Sequence, residues 1–534
     1  MGDLPIFTYQ TRIHLQPSGD EALDAYAELY GKVERTLFAA TESGNKATDL
    51  KHEYQVRFGL TARQFNAVRV GLEGKVSSIE ELKPKQIAEA EVRIRKAEKV
   101  LTRLAKSHPG SAKLHQKKRR LVQLFERLES VKADRAAGKV RICFGSRKLF
   151  RAQFALEANG CKDRDEWKAD WLKSRSSQFF VLGSKDESAG NQSCQAKVEE
   201  DDTLTLRLRL PHAFLEAHGE FLMIPGVKFT YGHDAVVAAL ASSNRVKATT
   251  TAQKKITKRT GSALSYRFVR DAKGWRVFVS LEAQPVESVT RSQAGTIGVD
   301  LNADHLAFAE TNRFGNLIDF GRFDCAVYGK TKEQATAIIG DIAAQLAERA
   351  KLAGKPVVIE KLDFQKKKAE LESVDPRGAR MVSAFAFKKT DNSVKSACFR
   401  AGVEVIEINP AYTSVIGAVN YARSKGIPTH QGAAYAIARR GLRMSERPTC
   451  RVAIVPARKG GHVTFALPVR NRAKHVWSFW SNVKTRLRAA HQAHFRCGAC
   501  KQASPPRPRE NPALCATGSP RRDSVASIAL PTVR

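Results

Sequence analysis

Between Thr296 and Leu442 the chain changes its hydrophobic period in a definite order, and that order restricts the possible folds more than any other feature. TIGVD (296 to 300) is an apolar strand ending in Asp300, followed by HLAFAET (305 to 311) and LIDFGRF (317 to 323). RFGN (313 to 316) supplies the turn between the last two. From about 332 a helical period sets Ile338, Ile342 and Leu346 on one side, and Gly354-Lys355-Pro356 stops it. VVIEKL (357 to 362) reads as a buried strand that delivers Glu360. A helix over about 377 to 401, a strand VEVIEIN (403 to 409) and a closing helix from His430 to Leu442 complete the run. Three strands in succession, then strands alternating with helices, specify a mixed α/β sheet.

Acidic residues end the first and fourth of these strands. Neighbouring strand ends bring Asp300 and Glu360 into one site although they are distant in the chain. Two carboxylates so placed suit divalent cations held against a phosphodiester. In a two-metal site the ions lie roughly 3.5–4 Å apart, one activating water and the other stabilising the leaving oxygen. Mg²⁺ prefers such oxygen ligands. The order βββαβαβα with acids at these strand ends is the RNase H-like arrangement.

IGVDLNADHLA, VVIEKLDF and NPAYTS, with the alanine-rich closing helix, resemble the RuvC nuclease domain of TnpB-like proteins. These are RNA-guided DNA endonucleases of insertion sequences, related to type V CRISPR effectors. The resemblance implies a guide RNA, a target DNA and Asp300 and Glu360 as the first two catalytic, metal-binding positions. It departs in two places. Where the family usually has a third acid the aligned residue is His430, and no Asp or Glu occurs from 408 to 445. His430 is either a third ligand, whose nitrogen suits Mn²⁺ better than Mg²⁺, or a helix-start residue with a hydrogen-bonded ring. The family's zinc ribbon, two CxxC pairs, has no counterpart from Val415 to Thr429. Cys497 and Cys500 form a single CxxC pair later, a weak zinc signal and a doubtful one.

The flanks are strongly basic. The chain of 534 residues carries 90 Lys and Arg against 54 Asp and Glu, a net +36, so a polyanion is the expected partner. Residues 6 to 15 read as a strand, and Ser18 with Glu21 has the capping-box spacing of a helix start. Two amphipathic helices follow, one through Ile87, Ala90, Ile94, Ala97, Leu101 and Leu104, the other through Leu114, Leu121, Leu124 and Leu128. They are broken at Pro109-Gly110. This predicted hairpin holds the block Lys117, Lys118, Arg119 and Arg120, a candidate phosphate-binding face. From about 139 the period changes to two, with TLTLRLRL (203 to 210) and an aromatic-rich hairpin from Leu264 to Leu281. Lys254 and Lys255 read as a basic loop between strands, a second nucleic-acid candidate.

The expected organisation is multidomain. A first strand of a β wedge domain spans 1–17, a helical basic recognition insert 18–137, and the rest of the wedge 138–292. A RuvC-type nuclease domain spans 293–445, and 446–534 is a basic tail whose end is unstructured. Apolar runs are too short to span a membrane, the start lacks a secretory pattern, and nine scattered cysteines argue for a reducing cytoplasm. No small-molecule cofactor is expected. The predicted function is RNA-guided DNA cleavage with Mg²⁺ or Mn²⁺. The alternatives are a cleavage-impaired RNA-guided binder on the same scaffold and a non-specific basic RNA-binding protein.

Overall fold

The computed structural model describes residues 4–500 apart from 244–245, 252–253, 260, 285, 303, 362–386 and 458–460. For 246–251, 254–259 and 495–500 it describes the backbone alone. The chain is a multidomain α/β protein that divides into two compact units. The first comprises Met1–Thr290, Cys325–Gly354 and Leu362–Glu404, and the second Arg291–Asp324, Lys355–Lys361 and Val405–Arg534.

In the first unit, strand Ile6–Arg12 pairs antiparallel with Gly274–Glu282, far along the chain. Ser265–Asp271 and Gln178–Val181 extend that sheet to four strands. Its alternation buries Tyr266, Phe268, Trp275, Val277, Val279 and Leu281. Tyr26, Phe179 and Phe268 stack in sequence at centroid distances of 4.2 and 4.8 Å. A three-stranded sheet, Cys194–Val198, Leu204–Arg209 and Phe221–Val227, buries Leu204, Leu206 and Leu208 on the face that the alternation marks. Helices are inserted after the first strand: Pro17–Glu42, Lys51–Phe58, Ala62–Ser107 and Ala112–Ala136. The last two pack through Ile94, Ala97, Leu124 and Leu128, the expected hairpin. Buried Lys83 donates to the carbonyls of Asp134 and Lys139 at its far end (3.3 and 2.8 Å).

Three local readings need correction. The first helix begins at Pro17 with Gln16 as N-cap and no side-chain cap, so Ser18 and Glu21 form no capping box. Proline at the first helical position sets φ without a capping side chain. The capping boxes occur at Thr61–Gln64 and Thr331–Gln334. The stretch after 139 holds helices Arg147–Ala152 and Arg164–Arg175 before any strand, because Trp167 bonds Leu149 O (2.8 Å) and packs on Trp171. Lys254 and Lys255 lie in no loop. Their backbones pair with Thr251 and Thr250 in the ladder of Val246–Thr251 with Lys254–Arg259.

The second unit is built on a five-stranded sheet of β1 (Ile297–Leu301), β2 (His305–Thr311), β3 (Leu317–Asp324), β4 (Val357–Glu360) and β5 (Val405–Ile408). Their order across the sheet is β3-β2-β1-β4-β5. The first three are antiparallel neighbours, while β1–β4 and β4–β5 run parallel. The strands fall where the period changes placed them. After β5 come α1 (Thr413–Ile416), which continues as a π-helical stretch Gly417–Ala422, and α2 (Thr429–Gly441). The two helices cross backbone to backbone at Gly417 and Gly432. A Cβ on Gly417 would lie 2.3 Å from Ala433 N, so only glycine fits.

Within the stretch read as a basic tail, β6 (Val452–Pro456) pairs with β7 (His462–Ala466), and α3 (Val476–Cys500) follows. Phe479, Trp480 and Val483 are buried in one cluster with Val415, Val419, Tyr421 and Tyr435. No helix among the described residues is long and apolar enough to cross a membrane.

Candidate active site

Alternation along β1 places Gly298 and Asp300 on one face. That face meets α2: a Cβ on Gly298 would lie 2.1 Å from Ala434 O and 2.4 Å from Ala438 N. The missing side chain lets the helix lie directly on the strand. In the β1–β4 ladder Ile297 pairs with Val357 and Val299 with Ile359. Asp300 and Glu360 are the next residue on each strand, and side-chain alternation gives them the same face. The parallel pairing of these two central strands thus puts both acids at one end of the sheet.

The other ligand candidate comes from α2. His430, in its first turn, places Nδ1 3.3 Å from Oδ2 of Asp300. The histidine is half exposed while the carboxylate is 10 % exposed. Asn302 Nδ2 donates to the same oxygen at 3.0 Å. Glu360 is held differently, with Oε1 accepting from the Thr413 hydroxyl at 2.5 Å. The Arg440 guanidinium feels the Glu360 charge, although its burial outweighs that and lowers its pKa.

Two further residues were missed by sequence reasoning. Asp300 pairs with Ala307, so His305, two residues back on β2, shares that face. The largely buried His305 ring packs edge-to-face on His430 with centroids 5.0 Å apart. Its Nδ1 lies 2.8 Å from Oδ1 of Asp304. That hydrogen bond holds the Asp304 carboxyl below its ordinary range. The residues sit within the quoted IGVDLNADHLA, but every residue of β2 is buried, so no alternation marks the face that His305 takes. Thr413 belongs to NPAYTS, but nothing in a sequence shows which side chain its hydroxyl meets.

In kind, two carboxylates and an imidazole suit Mg²⁺ or, with the nitrogen, Mn²⁺. In arrangement the set is open. Among the described residues no group of three or more His, Cys, Asp or Glu side chains is gathered closely enough to hold a metal ion. Asp300 is bonded by Asn302 and His430, and Glu360 accepts from Thr413.

The candidate nucleic-acid residues lie in the first unit. Lys118 and Arg119 are exposed on helix Ala112–Ala136, with Lys117 and Arg120 half-buried beside them. A row that the sequence pattern does not single out is Arg95, Lys96, Lys99 and Arg103 on helix Ala62–Ser107. With Val92 and Val100 it lines a groove of about 440 Å³. Of Lys254 and Lys255 only the backbone is described, and the side chains of Cys497 and Cys500 lie outside the described residues.

No protein-family model matches the chain, and no curated protein matches it. Among solved structures, T. thermophilus RuvC in complex with Holliday junction substrate aligns at 17% identity. The alignment covers 27% of this chain and 90% of that one, with a TM-score of 0.20. A score of that size identifies no fold, and the site stands on its own geometry.

Proposed function

We propose that residues 293–445 form an RNase H-like nuclease domain of the RuvC kind and that the chain hydrolyses phosphodiester bonds in nucleic acid. The observation that carries this reading is the neighbouring C-terminal ends of β1 and β4, which bring Asp300 and Glu360 to a common face. His430 stands 3.3 Å from Asp300 there. Asp300 and Glu360 would hold the divalent cation, with His430 as the nitrogen donor. When bound there, such a cation would supply a water nucleophile and charge stabilisation of the leaving oxygen. Asn302 orients the Asp300 carboxylate, and the close packing of α2 against Gly298 holds His430 near it.

The finer reading is RNA-guided cleavage of DNA by an insertion-sequence protein. It is supported by the motif resemblance, by the net charge of +36 and by the basic row and block on the inserted hairpin. Such effectors hold a guide or heteroduplex by shape and charge, which asks for basic helices and not for base-reading loops. A cleavage-impaired binder is the second reading. It is favoured by His430 in place of a third acid and by the lack, among the described residues, of a gathered group of three or more ligand side chains.

The test pairs cleavage with binding. Wild type is incubated with duplex and single-stranded DNA in Mg²⁺ and in Mn²⁺, with RNA that copurifies with the chain. Asp300→Asn and Glu360→Gln should each abolish cutting and leave nucleic-acid affinity unchanged. Cutting by the double variant removes the site from the chemistry. Binding without any cutting by wild type selects the second reading. Mixed ribosomal RNA in place of one discrete species removes the guide.

A further inference from the structure

We infer that the turn Asn409–Thr413 is a positioning device for Glu360, with Thr413 as the residue that aims its carboxylate. The inference rests on the hydrolytic reading and assigns a task to NPAYTS, the motif which that reading leaves unused.

The turn is held at more points than a connection between a strand and a helix requires. Asn409 Oδ1 accepts from the Ala411 amide at 2.9 Å, closing an Asx turn. Arg440, reaching across from α2, donates through Nη1 to the carbonyls of Asn409 (2.5 Å) and Ala411 (3.0 Å). Tyr412 is forced to φ 64°, ψ 10°, the left-handed region that a bulky residue avoids. Such a residue persists only where its surroundings over-determine it, and non-glycine outliers of this sort gather at functional sites.

What the strained residue achieves is the placement of its neighbour. Thr413 is 1 % exposed, and its hydroxyl lies 2.5 Å from Glu360 Oε1 and 3.2 Å from Pro410 O. A hydroxyl has one proton to give, and the nearer, charged acceptor takes it. The end of β4 is fixed from the same side, where the Lys361 amide donates to Ile408 O at 2.8 Å. The peptide after Glu360 is therefore held by β5, and one carboxylate oxygen of Glu360 by the β5–α1 connection. A purely structural turn would need none of this. Glycine at 412 would turn without strain, and valine at 413 would fill the same space without the hydroxyl.

Partners that orient a ligand typically govern metal affinity by about 10–100-fold. The experiment measures Mn²⁺ binding to the full chain by electron paramagnetic resonance, and cleavage in parallel, for wild type, Thr413→Val, Thr413→Ser and Tyr412→Gly. Thr413→Val should weaken Mn²⁺ binding about 10-fold or more. Thr413→Ser, which keeps the donor, should restore it. Tyr412→Gly, with the strain relieved and the turn loosened, should weaken binding while the thermal midpoint is kept or raised. Wild-type affinity in both Thr413→Val and Tyr412→Gly overturns the inference and leaves the nuclease reading intact. Equal loss in Thr413→Val and Thr413→Ser also overturns it, since packing and not the hydroxyl then matters. A wild type that binds no Mn²⁺ overturns the nuclease reading itself, and this inference falls with it.

Discussion

Gly298→Ala tests how the sheet and the closing helix make the site. An alanine Cβ at 298 would lie 2.1 Å from Ala434 O, 2.4 Å from Ala438 N and 2.9 Å from Ala438 Cα. Carbon does not approach such atoms closer than about 3 Å, so α2 has to retreat by roughly 1 Å in a close-packed interior. No rotamer relieves the clash, because every atom struck is backbone. Overpacking of this kind costs about 1–3 kcal/mol. The retreat also lengthens the 3.3 Å separation of His430 from Asp300, and beyond about 3.6 Å a hydrogen bond no longer forms. Gly340→Ala is the matched control. Gly340 lies inside helix Lys332–Ala353 with nothing within 4 Å of a built Cβ. Alanine there should stabilise by about 0.5–1 kcal/mol. Urea unfolding followed by tryptophan fluorescence, with Mn²⁺ binding alongside, reads both. An unfolding midpoint for Gly298→Ala equal to wild type, or to Gly340→Ala, would refute the argument that glycine is required where the helix meets the strand.

Other perturbations separate the remaining claims. Replacing Arg95, Lys96, Lys99 and Arg103 by glutamine should make the salt dependence of RNA binding shallower, by about 0.7 in log–log slope for each phosphate no longer neutralised. An unchanged slope returns that row to ordinary surface. His430→Ala should reduce the preference for Mn²⁺ over Mg²⁺ in cleavage assays, and an unaltered ratio removes the nitrogen from the ligand set. Asp271 accepts two bonds from Arg12 (3.0 and 2.9 Å), with Arg276 beside it, and its carboxyl is held down at about 2. A depressed carboxyl stabilises the fold above its unfolded value, and that contribution disappears as pH falls from about 4 towards 2. Asp271→Asn should flatten the acid limb of the unfolding curve in that window, and an identical limb refutes the assignment.

Why the sheet was readable and its surroundings were not follows from what each residue answers to. Ile297, Val299, Val357, Val358 and Ile359 are almost wholly buried, so their apolar runs report strand position directly. The same holds for Leu204, Leu206 and Leu208, where alternation alone marks the inward face. Helix starts are weaker signals. Ser18 with Glu21 satisfies the capping pattern, yet Pro17 opens the helix one residue earlier. The helices between 147 and 175 owe their burial to a few contacts, Trp167 to Leu149 O above all, which no periodicity announces. At the site, the strand-end acids are visible in sequence because their neighbours are apolar. His305 and Thr413 are not visible as site residues, since their relevance depends on His430 and Glu360, distant in the chain, meeting them.

The region between NPAYTS and the closing helix is held by apolar packing. Where the TnpB resemblance would place two metal-binding pairs, Val415, Ile416, Val419 and Tyr421 are buried instead. An apolar helix of this kind needs a cover, and the second unit provides one from residues otherwise read as tail. Phe479, Trp480 and Val483 pack into the same cluster, and Ala453 and Val455 of β6 join them. A buried acid fixes the register. Glu446 accepts from the Tyr421 hydroxyl and from Arg439 Nε at 2.7 Å, and its carbonyl accepts from Trp480 Nε1 at 3.4 Å. Arg439 and Tyr435 both donate to Gly315 O at 2.7 Å, which ties α2 to the β2–β3 turn. Glu446 is buried and Arg439 half-buried, so removing Arg439 would leave a buried acid without its ion-pair partner. The Arg439–Glu446 pair therefore couples the orientation of α2, and with it His430, to the cover formed after residue 446. The strand pair and helix after residue 446 thus pack against α2 and the π-helical stretch before it.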